Sequence, residues 1–296
     1  MYINICYIYI YIMIEINVSG GLGVRLFQYV FGYILSTLKN ESLQIIESDD
    51  YKKNYENETK RKYSEFDNVK IIFPNIKNTI KKKNNYLNKS KVIRGHIHNI
   101  QELLKYKGKI IIKGSGFQNY KYYKNHKHLI KKILEIPKEK LIKLNDNDVV
   151  IHYRLGDTKI ETLKKKVRHN EKYIGYHYHQ NMSNDYFINI LSKNNFNKVY
   201  VVTDSPNDKC IKTLTSKINC EIISKNMYYD FLFLVSAPNL IICHSTFSWW
   251  AAFLSNAKKI YMPKTNFNKN IKYHAEWIYR DDICLNVDDD KRYIYV

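Results

Sequence analysis

The sequence predicts an α/β protein of two Rossmann-like halves, each built on a parallel sheet. Three observations support this prediction. The chain opens with a strand, a glycine turn, a helix and a second strand, which together form a βαβ unit. A more regular alternation of strands and helices begins near residue 148. With 296 residues, of which 45% are hydrophobic, the chain is long enough to bury a substantial core.

The first half is predicted over residues 13–145. A strand at 14–18 leads into a tight turn at Gly20–Gly23, and the segment 25–38 has apolar residues at the i, i+4 spacing of a helix. A second strand at 43–46 ends in Glu47 and completes the βαβ unit. Residues 50–92 are polar and poorly periodic, so they predict long loops with short elements. A strand at 109–113 and a helix at 128–134 follow.

The second half is predicted over residues 146–296. Strands are expected at 149–152, 199–203, 220–223, 240–243 and 260–262, and helices at 186–191, 230–237 and 247–254. Alternating elements at this spacing predict a doubly wound parallel sheet. The tail that contains Asp288, Asp289 and Asp290 is expected to lie outside this pattern.

Residues 1–12 are predicted to be an N-terminal extension outside both halves. The stretch 1–14 is apolar, but it is shorter than the about 20 residues that a membrane-spanning helix needs. It has no basic start and no small-residue cleavage site, so a signal peptide is not expected. Membrane association through residues 1–14 stays open.

The composition argues against several classes of protein. The formal net charge is +20, but the basic residues are spread along the chain, with no recognition helix and no finger spacing. We therefore expect a lysine-rich solvated surface and no nucleic-acid partner. The five cysteines form no CxxC pair and indicate neither a disulfide framework nor a zinc site. The expected location is cytoplasmic or peripheral to an internal membrane, and not secreted.

Residues suited to binding a diphosphate follow four of the predicted strands. Ligands of open parallel sheets bind beyond the carboxyl ends of the strands. An arginine supplies a forked, permanent cation, and a hydroxyl at a helix start adds donors that the helix dipole reinforces. Each residue also has a structural explanation, as a tight turn, a helix cap or an ion pair. The residues are Gly20–Gly23, then Arg154, Gly156 and Asp157, then Asp204, and finally His244, Ser245, Thr246 and Ser248.

These segments resemble the motifs of glycosyltransferase family 11, the α-1,2-fucosyltransferases. The family's GGLGNQ-F-Q and FG are similar to residues 20–28 and 31–32, its HxRRGD to residues 152–157, and its GYWQS-x-KYF to residues 116–123. Its FSDD strand end is similar to residues 202–205, and its NSSFSWW-x-A-x-L to residues 244–254. The matches come in the family's order, and the TFSWW and GGLG–FQ blocks are the most specific.

The resemblance implies a GT-B-like fold and an inverting, metal-independent transfer of fucose or a related deoxyhexose from a GDP-sugar to a hydroxyl of a glycan or glycoconjugate. It implies no cofactor besides the sugar nucleotide, a donor held mainly by the second half and an acceptor on the side of the first half. Arg154 would hold the donor phosphates and stabilise the leaving GDP. Asp157 is the candidate general base, or else it only orients Arg154. The expected donor-binding residues are Gly21, Gly23, Arg25, His152, Arg154, Asp204, Ser245, Thr246 and Ser248.

The chain departs from the family pattern at several of these positions. Val24 and Arg25 replace the family's Asn-Gln, Leu155 replaces its second arginine, Ser205 its second aspartate, and His244 the asparagine before the serines. The fold prediction does not depend on these residues. They leave the donor sugar open, including a GDP- or dTDP-linked sugar such as rhamnose, and they leave open a loss of activity.

Two other functions are weighed against this one. A dinucleotide-binding oxidoreductase would use Gly21-x-Gly23 and, about twenty residues on, Glu47, although Leu26 replaces the third glycine. A basic nucleic-acid-binding protein would use the net charge. A metal site is not predicted, because Asp146-Asn147-Asp148 precedes its strand and so lies at the wrong end of the sheet.

Overall fold

The computed structural model describes residues 13–47, 52–53, 64–77, 79–81, 90–94, 100–114, 117–156, 182–263 and 285–296. The predicted extension over residues 1–12 lies outside the described residues. So does Asp157, the candidate general base.

The first sheet has five strands, all parallel, in the order β3-β2-β1-β5-β4. The strands are β1 (Met13–Asn17), β2 (Ser42–Glu47), β3 (Thr79–Lys81), β4 (Lys91–Ile93) and β5 (Ile110–Lys113). β1 lies in the middle, where Ile14 and Ile16 share one face and are fully buried. The short strands β3 and β4 lie in the region predicted to be loops with short elements.

The helices of the first half are α1 (Leu22–Lys39), α2 (Ile100–Lys105) and α3 (Lys127–Ile133), with 3₁₀-helices at Phe66–Ile71, Tyr120–Tyr122, Lys124–His126 and Lys138–Lys140. α1 packs directly against the first sheet, and α2 and α3 add buried side chains to the same core. α1 buries the stripe that the i, i+4 pattern predicted, including Leu26, Val30 and Ile34. It ends at Asn40, which takes the left-handed conformation with φ 53°.

The second sheet has six parallel strands in the order β11-β10-β9-β6-β7-β8. The strands are β6 (Val149–Tyr153), β7 (Val199–Thr203), β8 (Glu221–Ile223), β9 (Asn239–Ile241), β10 (Lys259–Met262) and β11 (Tyr293–Tyr295). The helices are α4 (Asn184–Ser192), α5 (Lys209–Thr215), α6 (Met227–Val235) and α7 (Thr246–Leu254). Read outward from β6 in both directions, this is the strand order of dinucleotide-binding sheets. The prediction of an α/β protein with two parallel, Rossmann-like sheets is confirmed.

The tail was expected to lie outside the α/β pattern, and this expectation is wrong. Its last residues form β11, which pairs in parallel with β10. The preceding acids reach the first half: Asp288 lies 2.9 Å from Nζ of Lys124, and Asp289 lies 2.7 Å from Nζ of Lys127. Asp288 and Asp289 therefore contact the first half, whereas Asp290 pairs with Arg292 of the tail itself at 2.7 Å.

Both halves share one hydrophobic core. The largest cluster of buried side chains runs from Ile14 and Ile16 of β1 to Trp249 and Trp250 of α7. The ring of Phe27 lies 5.0 Å and 4.8 Å from the rings of these two tryptophans. A smaller cluster fills the other face of the second sheet, under α4 and α5. Among the described helices, none has the length and apolar character to cross a membrane.

Candidate functional site

The second sheet reverses its winding between β6 and β9. From β6 the chain proceeds outward to β7 and β8, then returns to the other side of β6 with β9, β10 and β11. Ligands of such sheets bind at this switch point, outside the carboxyl ends of the two central strands. Here the residues that end and follow β6 meet those that follow β9. The sequence placed candidate residues after both strands but could not show that the two strands are neighbours.

His152 and Cys243 meet across the switch point. Nδ1 of His152 lies 3.3 Å from Sγ of Cys243, and both side chains are buried. Burial lowers the pKa of His152 to about 3, while the charge of Asp204 opposes and that of Arg154 reinforces this shift. Burial also raises the pKa of Cys243 to about 11. Both groups are therefore neutral near pH 7.

Arg154 stands beside this pair. Its backbone N–H donates a hydrogen bond to the sulfur of Cys243, and its positive charge lowers the pKa of both Cys243 and His152. The structure thus brings Arg154 next to Cys243. Cys243 lies in the segment that leads into α7, two residues before Ser245. A permanent cation at this position suits a phosphate group.

Asp204 supports the backbone of the segment that carries Arg154. Its Oδ1 accepts hydrogen bonds from the N–H groups of Leu155 and Gly156, each at 3.1 Å. The hydroxyl of Ser205 donates to the same oxygen at 3.3 Å. The carboxylate of Asp204 is therefore engaged in shaping the turn after β6.

α7 begins at the switch point with an unsatisfied hydroxyl. Ser245 is the N-cap residue of α7, yet its side chain makes no capping hydrogen bond. Its Oγ is buried and has no hydrogen-bond partner among the described residues. A buried hydroxyl without a partner costs free energy, so a ligand that supplied one would be favoured. Ser248 differs, since its Oγ lies 3.3 Å from the carbonyl oxygen of Ser245 within its own helix.

The first turns of α1 and α7 touch. A Cβ added to Gly23 would lie 2.4 Å from the backbone carbon of Thr246, so only glycine allows this approach. The indole N–H of Trp250 donates to the carbonyl oxygen of Gly23 at 3.1 Å. Neither helix has an acidic residue in its first turn. Two positive helix ends therefore meet without a side-chain anion in those turns to balance them.

Gly21 borders open space beside this contact. It is the N-cap residue of α1, and a Cβ added there would have no described heavy atom within 4 Å. Gly21 and Gly23 thus differ in role, because the first leaves room next to the helix start and the second permits two backbones to meet.

The structure does not bring Arg25 to the residues at the switch point of the second sheet. Its guanidinium is buried in the first half, where Nη1 donates to the carbonyl oxygen of Ser64 at 2.6 Å and lies 3.8 Å from Oε1 of Glu47. Glu47 in turn accepts a hydrogen bond from the N–H of Phe66 at 2.8 Å. The acid that a dinucleotide-binding site would need is therefore engaged within the protein. The hydroxyl of Ser64 also reaches Tyr228 of α6 at 2.5 Å, which links the halves.

Three residues near the carboxyl ends of the strands in the two sheets were not singled out in the sequence. Cys243 was counted only as a free thiol. Gln28, which matches the family's FQ, is fully buried and holds the turn after β1 through hydrogen bonds with Ser19. Asp230 lies in the first turn of α6, where burial raises its pKa to about 6 and the charge of Asp204 adds to the shift. The signals in the sequence were the match of Gln28 to the family's FQ and the position of Asp230 at the start of a predicted helix.

The acids considered for a metal site have other contacts. Asp148 is buried and accepts a hydrogen bond from the N–H of Asn145 at 3.0 Å, and exposed Asp146 pairs with Lys258 at 3.0 Å. Within the described ranges, the structure has no cluster of three or more metal-ligating side chains.

Comparisons with known proteins identify the family of this chain. A profile described as glycosyl transferase family 11 matches residues 13–281. An α-1,2-colitosyltransferase of Escherichia coli is 27% identical over 274 residues, covering 81% of this chain and 87% of that protein. Among solved structures, NodZ α-1,6-fucosyltransferase soaked with GDP-fucose aligns with a TM-score of 0.46 and 9% identity, over 84% of this chain and 93% of its own. The E. coli heptosyltransferase WaaC with ADP aligns with a TM-score of 0.43 and 8% identity, over 87% and 88%. Since the family profile spans well over half of its length, this chain belongs to glycosyl transferase family 11 and is a glycosyltransferase.

Proposed function

We propose that this glycosyltransferase moves fucose or a related deoxyhexose from a GDP-linked donor to a glycan hydroxyl, with inversion at the anomeric carbon and without a metal ion. Membership of family 11 supports the class of reaction. The colitosyltransferase relative supports a deoxy sugar and an α-1,2 linkage, because colitose is a dideoxy sugar. The acceptor position would then be the 2-hydroxyl of a sugar.

The observation that carries the proposal is the switch point between β6 and β9. There Arg154, neutral His152 and the start of α7 lie together, and the buried Oγ of Ser245 has no partner among the described residues. A cation, a helix N-terminus and a free hydroxyl are the groups that bind a diphosphate. The proposed donor site is therefore preformed in the second half.

The charge that develops during the transfer determines which groups of the protein could stabilise it. The acceptor hydroxyl oxygen forms a bond to the anomeric carbon as the bond from that carbon to the diphosphate oxygen breaks. The leaving GDP gains negative charge, which Arg154 and the start of α7 would stabilise, since fixed charges and dipoles act most strongly when preorganised. The proton of the acceptor hydroxyl passes to a general base. Asp157 is the proposed base, and its position lies outside the described residues.

The first half is the proposed acceptor side. Its own switch point, between β1 and β5, is occupied by the side chain of Gln28, which donates to the carbonyl oxygen of Gly114 at 2.5 Å. Because Gln28 engages polar groups there, we do not expect a nucleotide to bind at this switch point. Gly21 adjoins open space next to the start of α7, which would let an acceptor approach the donor sugar.

Calorimetric titration with GDP, UDP, dTDP and NAD, followed by transfer assays with GDP-fucose and an acceptor panel in EDTA, tests the proposal. We expect GDP to bind best, activity to survive EDTA, and the product to have the inverted anomeric configuration by NMR. Arg154→Ala should lower kcat/KM by about 10²–10³, with Arg154→Lys in between. Preference for NAD, loss of activity in EDTA, or unchanged turnover of a folded Arg154→Ala would each contradict the corresponding part of the proposal.

A further inference from the structure

We propose that Cys243 is a positioning residue that fixes the proton of His152 on Nε2, so that the imidazole presents an N–H donor at the switch point. The inference starts from the contact of 3.3 Å between Sγ of Cys243 and Nδ1 of His152. The two residues belong to different segments, since His152 lies in β6 and Cys243 follows the neighbouring strand β9. The contact therefore depends on the topology of the sheet.

The hydrogen bond that the sulfur already accepts favours one direction for this contact. The backbone N–H of Arg154 already donates to Sγ of Cys243. A neutral thiol carries one proton and is a weak donor and acceptor. With the sulfur accepting from Arg154, its own proton is free to point at Nδ1 of His152. Nδ1 is then the acceptor, and in a neutral imidazole the remaining proton lies on Nε2.

A charged alternative does not fit this environment. A thiolate facing an imidazolium would also bring these two atoms together. However, both side chains are buried, and burial holds the pKa of Cys243 at about 11 and that of His152 at about 3. Near pH 7 both groups are neutral, so the contact joins a thiol and a neutral imidazole and not an ion pair.

The fixed tautomer gives His152 a defined role in binding. Nε2 of His152 has no hydrogen-bond partner among the described residues, although the ring packs against Phe247 with centroids 5.6 Å apart. An N–H group there can donate to an anionic oxygen, whereas the opposite tautomer would offer a lone pair and repel it. This step rests on the proposed function, since it assumes that the donor diphosphate lies at the switch point.

The tautomer can be measured without any substrate. Long-range ¹H–¹⁵N spectra of the free protein distinguish Nε2–H from Nδ1–H imidazoles, and the His152→Asn spectrum identifies which of the ten histidines is His152. We expect the neutral Nε2–H pattern for His152 at pH 7. A neutral Nδ1–H pattern or an imidazolium would overturn the inference, whatever the enzyme turns out to transfer.

Matched variants of Cys243 test the consequence for binding. Serine keeps a donor at this position and alanine removes it. We expect Cys243→Ala to raise the donor KM about tenfold with little change in acceptor KM, and Cys243→Ser to stay within about threefold of the parent. Thermal unfolding of both variants controls for folding. Equal donor KM values for two folded variants would show that hydrogen bonding by residue 243 does not position His152.

Discussion

The switch points of the two sheets differ in whether a side chain of the protein fills them. In the first sheet the switch point lies between β1 and β5, and the fully buried side chain of Gln28 fills it. Its Oε1 accepts from the N–H of Ser19, and its Nε2 donates to the hydroxyl of Ser19 and the carbonyl of Gly114. Gln28 thus links the turns that follow both strands, although Oδ1 of Asn17 at the end of β1 is buried without a partner among the described residues.

At the switch point of the second sheet, two polar side-chain atoms have no hydrogen-bond partner among the described residues. The Oγ of Ser245 is buried without a partner among the described residues, and the neutral imidazole of His152 has Nε2 available. Two halves with related topology therefore differ in whether a side chain of the protein fills the switch point. The comparison teaches that topology locates a switch point, whereas the side chains around it decide whether it is filled.

The largest expected effect is on stability, at the filled switch point. Gln28→Met keeps the length of the side chain but removes its hydrogen bonds with Ser19 and Gly114. Each buried group left without a partner costs about 1–3 kcal/mol, so we expect a loss of about 4 kcal/mol in urea unfolding. Nucleotide affinity of the folded fraction should change little. The control is Gln44→Met at a partly exposed position of β2, and a loss equal to that control would remove the contrast between the switch points.

The contact between α1 and α7 is tested by a pair of glycines. Gly23→Ala would force a methyl group against the backbone of Thr246, and we expect it to cost about 3 kcal/mol and to reduce activity strongly. Gly21→Ala is the matched control, because its φ of −71° suits alanine and the position borders open space. Chemical denaturation and kcat/KM of both variants provide the readout. Similar behaviour of the two would mean that the helix ends need no close approach.

At the open switch point, Ser245→Ala should separate stability from function. Removing a buried hydroxyl that lacks a partner should leave the free energy of unfolding unchanged or raise it slightly. Donor affinity should fall about tenfold, because the ligand loses one hydrogen bond. Calorimetric titration with GDP and thermal unfolding of the same samples measure both. A variant that loses stability but keeps its affinity would assign Ser245 to the fold instead.

The smallest effect is expected at Asp230, and it depends on pH. Burial raises the pKa of this carboxyl to about 6, so the folded protein holds its proton more tightly than the unfolded chain does. The charged form is therefore a destabilising feature that grows as pH rises through 4 to 6. Asp230→Asn should be more stable than the parent by about 1 kcal/mol at pH 8, allowing for solvent screening of this half-buried group.

That gain should vanish near pH 4, where the parent carboxyl is itself neutral. Urea unfolding at several pH values between 4 and 8 gives the profile. A constant difference between Asp230→Asn and the parent at every pH would exclude the carboxyl charge as the cause.

Much of the fold was accessible from local patterns. Strands such as β6 and β7 are rich in buried β-branched residues, and α1 shows a regular apolar stripe. Sequence alone therefore placed the bounds of these two strands within one residue and those of α1 within three. The strands β3, β4 and β11 have three residues each and, unlike the equally short β8 and β9, were not predicted, because they adjoin polar or charged runs. They form because each pairs with the edge of a neighbouring strand that lies elsewhere in the sequence. No local pattern predicts such a pairing.

The site was predictable in its parts but not in its assembly. Candidate residues after β6 and β9 were found because ligands collect at strand ends. The side chain of Arg25, however, is directed by Glu47 and by the carbonyl of Ser64, 39 residues away. No local pattern reports such a contact. The pairing of Cys243 with His152 likewise depends on β9 lying next to β6, and 91 residues separate the two.

The interlocked rings of Phe27, Trp249 and Trp250 have a practical consequence. Because these tryptophans belong to the second half and are enclosed by the first, separating the halves would expose indole rings to water. Intrinsic fluorescence should therefore report the parting of the halves as directly as it reports loss of the second sheet. Heating should melt the protein as one cooperative unit, with a single calorimetric peak instead of one per half.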